Sequence, residues 1–145
     1  RVREELDYVR EGRHIALYQN ILKDTPEVRV PALEASLSTK RLLTMHWLEG
    51  DRILDHKHDS QEARDRISTA MFKAWWRPFS HHGVIHGDPH LGNYTVFSEE
   101  GEAQGINLLD YGCIRIFPSS FVGGVVDLYR GILEGDEARV VHAYE

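Results

Sequence analysis

Three oxygen-bearing side chains, Asp88, Asn93 and Asp110, have the types and the spacing that phosphoryl transfer requires. Asp88 precedes Asn93 by five positions in the turn-rich loop 86–93, and Asp110 ends an apolar run 17 residues after Asn93. Phosphoryl transfer needs divalent cations on the phosphates and a carboxylate at the incoming nucleophile, and Mg²⁺ prefers oxygen ligands. We therefore expect Asp88 to orient or deprotonate the acceptor, and Asn93 and Asp110 to hold Mg²⁺.

Neither motif is specific by itself, because Asp-Gly and Asp-Pro dipeptides are common in ordinary turns. The combination is more informative. The loop 86–93, a predicted hairpin and the tripeptide Asp110-Tyr111-Gly112 follow one another in the order in which kinases carry their catalytic loop and their second metal ligand. This order favours a phosphoryl-transfer site over three unrelated turns.

Four histidines near the loop allow a rival interpretation, in which His81, His82, His86 and His90 bind zinc or iron together with Asp88. His81 and His82 are adjacent in sequence and cannot share one helical face. The sequence also contains no H-E-x-x-H motif, so no fourth ligand is supplied at the helix-fixed spacing of such a zinc site. We expect these histidines to cap helices or to pack in loops.

The elements that must position the loop and Asp110 are predicted from the apolar spacing of the chain. Helices are expected at residues 4–22, 60–80, 117–135 and from 136 onward, and strands at 28–33, 41–47, 94–97 and 106–110. The polar residues 98–105 predict a hairpin turn between the last two strands. On the second helix, Trp75 is expected on the core-facing side and Trp76 away from it.

The composition is that of a folded domain and argues against several classes of partner. The chain is 41% hydrophobic and 28% charged, and its 17 Lys and Arg against 23 Asp and Glu give a net charge of −6 without a basic run, so nucleic acid is not expected as a partner. No apolar stretch reaches the roughly 18 to 20 residues of a membrane-spanning helix. The single cysteine, Cys113, cannot form an internal disulfide. We expect a cytoplasmic protein, peripheral at the inner face of a membrane.

Short motifs along the whole chain resemble those of the UbiB family of atypical kinases, which is associated with coenzyme Q biosynthesis. They are Glu5-Leu6-Asp7-Tyr8, Val30-Pro31, Ser38-Thr39, Leu43-Thr44-Met45, Leu48-Glu49-Gly50, the loop 86–93 and Leu108-Leu109-Asp110-Tyr111-Gly112. The resemblance implies an α+β, protein-kinase-like fold. Residues 1–49 would be the C-terminal part of the small lobe with the hinge, and residues 50–145 a truncated large lobe.

The resemblance also implies ATP and Mg²⁺ as cofactors. Glu5, on the regulatory helix, would pair with a nucleotide-binding lysine upstream of Arg1, and Asp7, on another side of that helix, is also expected at the nucleotide. The residues expected to form the hinge beside the adenine are Met45, His46, Trp47 and Leu48. Because the chain begins at Arg1 without Met and ends inside a helical pattern, we expect a piece of a longer protein, whose further partners would be a lipid or quinone precursor and a membrane surface.

Three residues depart from the family's usual pattern. His46 stands where an acid is common, and Gly12 and His14 replace an alanine and an asparagine. They put the hinge and lobe contacts in question more than the metal site. Two other functions stay open: a small-molecule phosphotransferase of the aminoglycoside or choline kinase type, and a nucleotide-binding pseudokinase or lipid-presenting module without transfer activity.

Overall fold

The structure, a computed structural model, describes residues 7–144. Within that range the helices are α1 (Tyr8–Leu22), α2 (Gln61–His82), α3 (Ser119–Glu134) and α4 (Glu137–Tyr144), and the strands are β1 (Val28–Arg29), β2 (Asp51–Arg52), β3 (Val84–His86), β4 (Tyr94–Glu99), β5 (Glu102–Leu108) and β6 (Ile114–Ile116). Short 3₁₀ helices occupy Ala35–Leu37, Ile53–His58 and Leu91–Asn93. Among these residues no helix is both long enough and apolar enough to cross a bilayer.

The second helix begins and ends where its sequence dictates. The Ser60 hydroxyl accepts a hydrogen bond from the Ala63 N–H at 3.2 Å, which caps the start of α2. Gly83 ends α2 with a φ of 67°, and Gly135 ends α3 with a φ of 68°; both have the left-handed conformation that favours glycine. After Gly83 the chain passes directly into β3, which leads to the predicted catalytic loop.

A four-stranded sheet in the order β1-β5-β4-β2 forms the centre of the fold. β4 and β5 form the predicted antiparallel hairpin, but the turn predicted over 98–105 is wrong, because both strands extend into it and pair as far as Glu99 opposite Glu102. Only Glu100 and Gly101 form the turn, with the positive φ (54° and 83°) that a type I′ turn requires. β1 pairs with β5 in parallel, with Val28 opposite Ile106, and β2 pairs antiparallel with β4. A separate antiparallel pair, β3 with β6, lies where the chain enters the predicted catalytic loop 86–93.

β5 passes so close to the chain before β1 that only glycine fits at position 105. A Cβ atom on Gly105 would lie 2.0 Å from the Glu27 carbonyl oxygen. The same oxygen accepts the Ile106 N–H at 2.9 Å. This contact fixes the position of β5, and therefore the point from which the chain runs on to Asp110.

One apolar core lies between the first two helices and the central strands. Ile15 and Tyr18 of α1, Ala70 of α2 and Ile106 of β5 are all fully buried in it. The core thus holds residues from both sides of position 49, and β1 joins β5 across the same position. The division into two lobes near residue 49 stays a prediction.

The two strands expected in the first third of the chain are shorter than predicted. The strand predicted at 28–33 ends at Arg29, and Pro31 lacks the N–H that a continuing ladder needs. The segment 41–47 forms no regular strand and pairs only through isolated bridges, such as that between Leu33 and Met45. The 3₁₀ turn at 35–37 separates the two segments and limits their pairing.

The prediction for the tryptophans of α2 is wrong. Trp75 is 41% exposed, whereas Trp76 is partly buried and its ring lies 4.9 Å from that of Tyr129 on α3. The buried face of α2 contains Ala74, and the next residue along a helix points about 100° away from it. The packing of α3 against α2 then covers Trp76 instead.

Candidate active site

Two turns meet beside the β3–β6 pair. One carries Asp88, the predicted catalytic aspartate, and the other carries Asp110, the predicted metal ligand. The Gly87 N–H donates to the Cys113 carbonyl oxygen at 2.7 Å, and the Leu109 N–H donates to the Asn93 carbonyl oxygen at 3.0 Å. These two backbone bonds join the loop 87–93 to the turn that follows β5. Residues distant in sequence are therefore brought together by the sheet and not by a flexible surface loop.

Asp88 and Asn93 are hydrogen-bonded to each other within the loop. The Asn93 side-chain Nδ2 donates to an Asp88 carboxylate oxygen at 3.1 Å and to the Asp88 carbonyl oxygen at 3.2 Å. The His90 ring accepts the Gly92 N–H at 3.0 Å where the 3₁₀ turn begins. Because both Asn93 bonds use the amide nitrogen, the amide oxygen is not used in them, and that oxygen is the atom that Mg²⁺ would bind.

His86 connects the two turns. Its side chain is 3% exposed, its Nε2 donates to the Asp110 carbonyl oxygen at 2.6 Å, and its Nδ1 accepts the Asp88 N–H at 3.3 Å. This pattern requires the neutral tautomer with the proton on Nε2. A single buried imidazole thus fixes the backbone at both aspartates.

Asp110 is held by a tight turn after β5. Its carboxylate Oδ1 accepts the Gly112 N–H at 2.8 Å. Between them, Tyr111 is fully buried and its hydroxyl donates to the Leu108 carbonyl oxygen at 2.7 Å. Burial raises the pKa of the Tyr111 hydroxyl well above its usual value, so this group remains a donor at neutral pH.

Asp88 and Asp110 face one cleft of about 630 Å³. The residues that line it are Glu11, Gly87, Asp88, Leu109, Asp110, Gly112 and Cys113. Three of these side chains are acids and none is a cation, so a bound cation would relieve their mutual repulsion. Across residues 7–144, no three His, Cys, Asp or Glu side chains lie close enough to hold a metal ion by themselves. An ion here would need further oxygen ligands from an amide, phosphate or water, as Mg²⁺ commonly takes.

Glu11 is a cleft residue that the sequence analysis did not assign to the site. Its Oε1 accepts the Tyr111 N–H at 3.4 Å. Burial raises the pKa of Glu11, the hydrogen bond from Tyr111 lowers it, and the nearby Asp110 carboxylate raises it; the net shift is upward. A signal was present in the sequence, because Glu11 lies four and seven positions before Ile15 and Tyr18, on the buried face of α1, where an acid is unusual.

The histidines do not form the rival metal site within the described part of the chain. The His81 ring is bonded to the Ser80 hydroxyl at 2.9 Å and to the Arg77 carbonyl oxygen at 3.2 Å, at the exposed end of α2. His86 and His90 bond to backbone groups of the two turns. These are the capping and loop-packing contacts expected from the sequence.

Of the two acids expected at the start of the predicted regulatory helix, the structure describes only Asp7. Glu5 lies outside the described residues. The Asp7 carboxylate accepts the Arg10 N–H at 3.1 Å and so caps α1, and Asp7 is not among the residues that line the cleft. Nucleotide contacts of Glu5 and Asp7 stay predictions.

The predicted hinge residues, Met45, His46, Trp47 and Leu48, are also not among the residues that line the cleft. Met45 packs against the core, His46 is exposed, Leu48 is half-buried, and Trp47 is 83% exposed. After this segment, the Glu49 carbonyl oxygen accepts a bond from the Asn107 side chain at 2.9 Å. The chain that follows the segment 45–48 is therefore bonded to β5, the strand that leads to Asp110, while the hinge role of this segment and its contact with adenine stay predictions.

Residues 1–144 match the model of the ABC1 atypical kinase-like domain. The chain belongs to this family. The resemblance to the UbiB kinases is thereby confirmed, with the match extending through both turns of the cleft. Membership establishes a kinase-type domain, while the activity of this chain is a separate question.

Curated relatives of this family match nearly the whole chain. The chain is 32% identical over 139 residues to AarF domain-containing protein kinase 1 of Xenopus laevis, and the aligned residues make up 94% of this chain and 27% of that protein. It is 30% identical over 118 residues to Atypical kinase COQ8, mitochondrial, of Saccharomyces cerevisiae, and the aligned residues make up 81% of this chain and 23% of that protein. The chain thus spans about a quarter of the length of these relatives.

A solved structure shares the fold. It is the complex of Rv3197 with erythromycin from Mycobacterium tuberculosis, with a TM-score of 0.77 and 24% sequence identity, covering 98% of this chain and 35% of that one. Together with the family match, this likeness confirms the predicted α+β, protein-kinase-like fold.

Proposed function

We propose that this chain carries the metal-binding and catalytic part of an ATP- and Mg²⁺-dependent atypical kinase or ATPase of the UbiB type. The observation that carries the proposal is the shared cleft of Asp88 and Asp110, with Asn93 hydrogen-bonded to Asp88 at 3.1 Å. A carboxylate for the acceptor and oxygen ligands for the cation must lie within reach of one phosphate chain. The shared cleft supports this for Asp88 and Asp110, whereas Asn93 is not among the residues that line the cleft and is linked to it through its bond to Asp88.

In this proposal Asp88 orients or deprotonates the acceptor, while Asp110 and the Asn93 amide oxygen bind Mg²⁺. The donor set fits the ion, because all three groups offer oxygen and the cleft has no cation among its lining residues. Bound Mg²⁺ would neutralise charge on the phosphates. Glu11, the third acid of the cleft, is suited to meet a cationic side chain there, the role that the sequence analysis gave to Glu5.

The pathway and the location are parts of the same proposal. Several relatives carry the name atypical kinase COQ8 or COQ8B, which supports a link to ubiquinone biosynthesis with a lipid or quinone precursor as partner at a membrane surface. The name of the yeast relative describes that protein as mitochondrial, so the expected cytoplasmic location of this protein is a prediction that localisation of the full-length protein must test.

Asp110→Asn in the full-length protein tests the proposal directly. Asn keeps an oxygen that accepts the Gly112 N–H but removes the charge that holds Mg²⁺. We expect the wild type to gain thermal stability with ATP only when Mg²⁺ is present, since a ligand that binds the folded state stabilises it by RT ln(1 + [L]/Kd). The variant should lose most of that gain.

Asp24→Asn serves as the matched control, because Asp24 is exposed and is not among the residues that line the cleft. It should behave as the wild type. A wild-type protein that shows neither Mg²⁺-dependent stabilisation by ATP nor ATP hydrolysis would refute the proposal. Stabilisation without hydrolysis or transfer to any acceptor would instead favour the pseudokinase alternative.

A further inference from the structure

The peptide group between Tyr111 and Gly112 is bonded on both of its sides. Its carbonyl oxygen accepts a hydrogen bond from Nδ1 of His14 at 2.9 Å, and its N–H donates to Oδ1 of Asp110 at 2.8 Å. A peptide group is planar and moves as one rigid unit. The orientation that His14 imposes on the carbonyl oxygen is therefore passed to the N–H that holds the Asp110 carboxylate.

We propose that His14 is a positioning residue that aims the Asp110 carboxylate into the cleft. This inference rests on the proposed function, in which Asp110 binds Mg²⁺, and it adds a residue of α1 to that site. Mg²⁺ demands nearly ideal octahedral geometry, so a small rotation of Asp110 weakens its binding. His14 acts through the peptide and does not itself touch the ion.

The neighbouring contacts do not replace the bond from His14. Glu11, one turn earlier on α1, accepts the preceding amide, the Tyr111 N–H, but at the longer distance of 3.4 Å. The Tyr111 hydroxyl anchors the side chain to Leu108, and its ring packs edge-on against Tyr18 with the centroids 5.4 Å apart. These contacts fix the ring and the amide before it, whereas the peptide after Tyr111 is bonded to α1 through His14.

The chemistry of the bond gives three variants, one that should keep the donor and two that should lose it. The carbonyl oxygen can only accept, so His14 must carry a proton on Nδ1. In His14→Asn the amide nitrogen lies at about the position of Nδ1 and can still donate. In His14→Gln the amide lies nearer the position of Nε2, so size and polarity are kept while the donor is displaced. His14→Leu removes the donor altogether.

The first measurement needs no nucleotide: hydrogen–deuterium exchange of the Gly112 amide in the full-length protein. We expect faster exchange in His14→Leu and His14→Gln than in the wild type, and exchange close to wild type in His14→Asn. His58→Leu is the matched control, because His58 is exposed in another part of the chain and should leave the Gly112 amide unchanged. If His14→Leu does not fold, the comparison of Asn with Gln decides the question.

The second measurement is the Mg²⁺ concentration that gives half of the thermal stabilisation by ATP. It should rise about threefold to tenfold in His14→Leu and His14→Gln, as expected for loss of one neutral hydrogen bond, and stay within about twofold of wild type in His14→Asn. Unchanged Gly112 exchange in His14→Leu, or an Asn variant as impaired as the Gln variant, overturns the role of His14. Absence of Mg²⁺-dependent binding in the wild type overturns the proposed function instead, while the exchange measurement still reports on His14.

Discussion

The turns around Asp88 and Asp110 and the segment 45–48 were predicted to belong to one nucleotide site, but the chain holds them in different ways. The turns are tied to each other by backbone bonds and by the buried His86. The segment 45–48 has an isolated bridge at Met45 and a Trp47 that is 83% exposed. The two turns are thus fixed by contacts with each other, whereas the segment 45–48 presents its largest side chain, Trp47, to solvent.

Under the proposed function, the difference would match what each end of a nucleotide requires. Ligands of Mg²⁺ must be placed within a fraction of an ångström before the ion binds, because the ion tolerates little distortion. Ligand sites for flat apolar groups are concave and are lined mostly by apolar and aromatic side chains, and the exposed Trp47 would supply one aromatic face of such a site. Under the proposed function, the metal end would thus be organised within this stretch of chain, whereas an adenine site here would need a second wall.

The largest expected effect is that of Asp88→Asn at the fixed end. Loss of a positioned base should lower the turnover of the full-length protein by about 10² to 10⁴, while the Kd for Mg²⁺-ATP stays near that of the wild type, because the introduced amide oxygen can still accept the bond from Asn93. ATP hydrolysis and equilibrium nucleotide binding measure the two quantities. Asp51→Asn, an exposed change on β2, is the control, and turnover at the wild-type level in Asp88→Asn would mean that Asp88 is not the base.

His86→Leu should destabilise the fold at the same two turns. The change leaves the Asp110 carbonyl oxygen and the Asp88 N–H without their shared partner, so the free energy of unfolding should fall by about 1 to 3 kcal/mol. Urea unfolding should show a lower midpoint with an unchanged slope. His90→Leu, at an exposed ring with a local bond only, should cost less, and equal costs for the two variants would contradict a special role of His86 in joining the turns.

The fixed region is also the one that could be predicted from the sequence. Turn residues around Asp88, the hairpin that separates the loop from Asp110, and the helix after Phe117 are short-range patterns, and the fold bears them out. Such patterns succeed because the spacing of residues in one loop or one hairpin sets their geometry directly. The placement of Asp88 and Asp110 in one cleft follows from two of these patterns meeting at the β3–β6 pair.

Contacts between distant elements could not be predicted in the same way. Glu11 and His14 reach the turn at Tyr111 only because α1 packs beside it. The acid on the buried face of α1 marks Glu11 as unusual, but no local pattern shows which turn it meets. The partial burial of Trp76 depends likewise on α3, whose Tyr129 lies against it. Periodicity identifies the face of a helix that is buried, but the partner of that face is set by tertiary packing.

Glu11→Gln tests how much the burial of the Glu11 charge and its repulsion by Asp110 destabilise the folded state. Burial first, and then the Asp110 charge, raise the folded pKa of Glu11 above 4.5, although the Tyr111 bond opposes them. An acid with a raised folded pKa favours the folded state fully below its unfolded pKa and loses that contribution as pH rises through the folded pKa. The variant should therefore be more stable than the wild type near pH 7, and the difference should disappear as pH falls below about 4.5.

Thermal unfolding without nucleotide, followed from pH 4 to pH 7.5, measures this difference. Glu62→Gln is a matched control, since Glu62 is exposed at the start of α2 and its removal should leave the pH profile as in the wild type. A Glu11→Gln variant that is less stable than the wild type at pH 7 would show that the hydrogen bond from Tyr111 outweighs burial and repulsion.

Trp47→Ala should have the smallest effect on the fold and separates the two ends of the proposed site most cleanly. Trp47 is largely exposed and donates one bond, to Glu49 at 2.8 Å, so its loss should change the free energy of unfolding by no more than about 0.5 kcal/mol. If Trp47 lies beside adenine, the variant should weaken ATP binding to the full-length protein but leave Mg²⁺-tripolyphosphate binding unchanged, whereas Asp110→Asn weakens both. Trp47→Ala could instead weaken the binding of ATP and of Mg²⁺-tripolyphosphate equally. The segment 45–48 would then lie at the phosphates, or the change would act through the fold. In either case the contrast between a fixed metal end and an open adenine end would not hold.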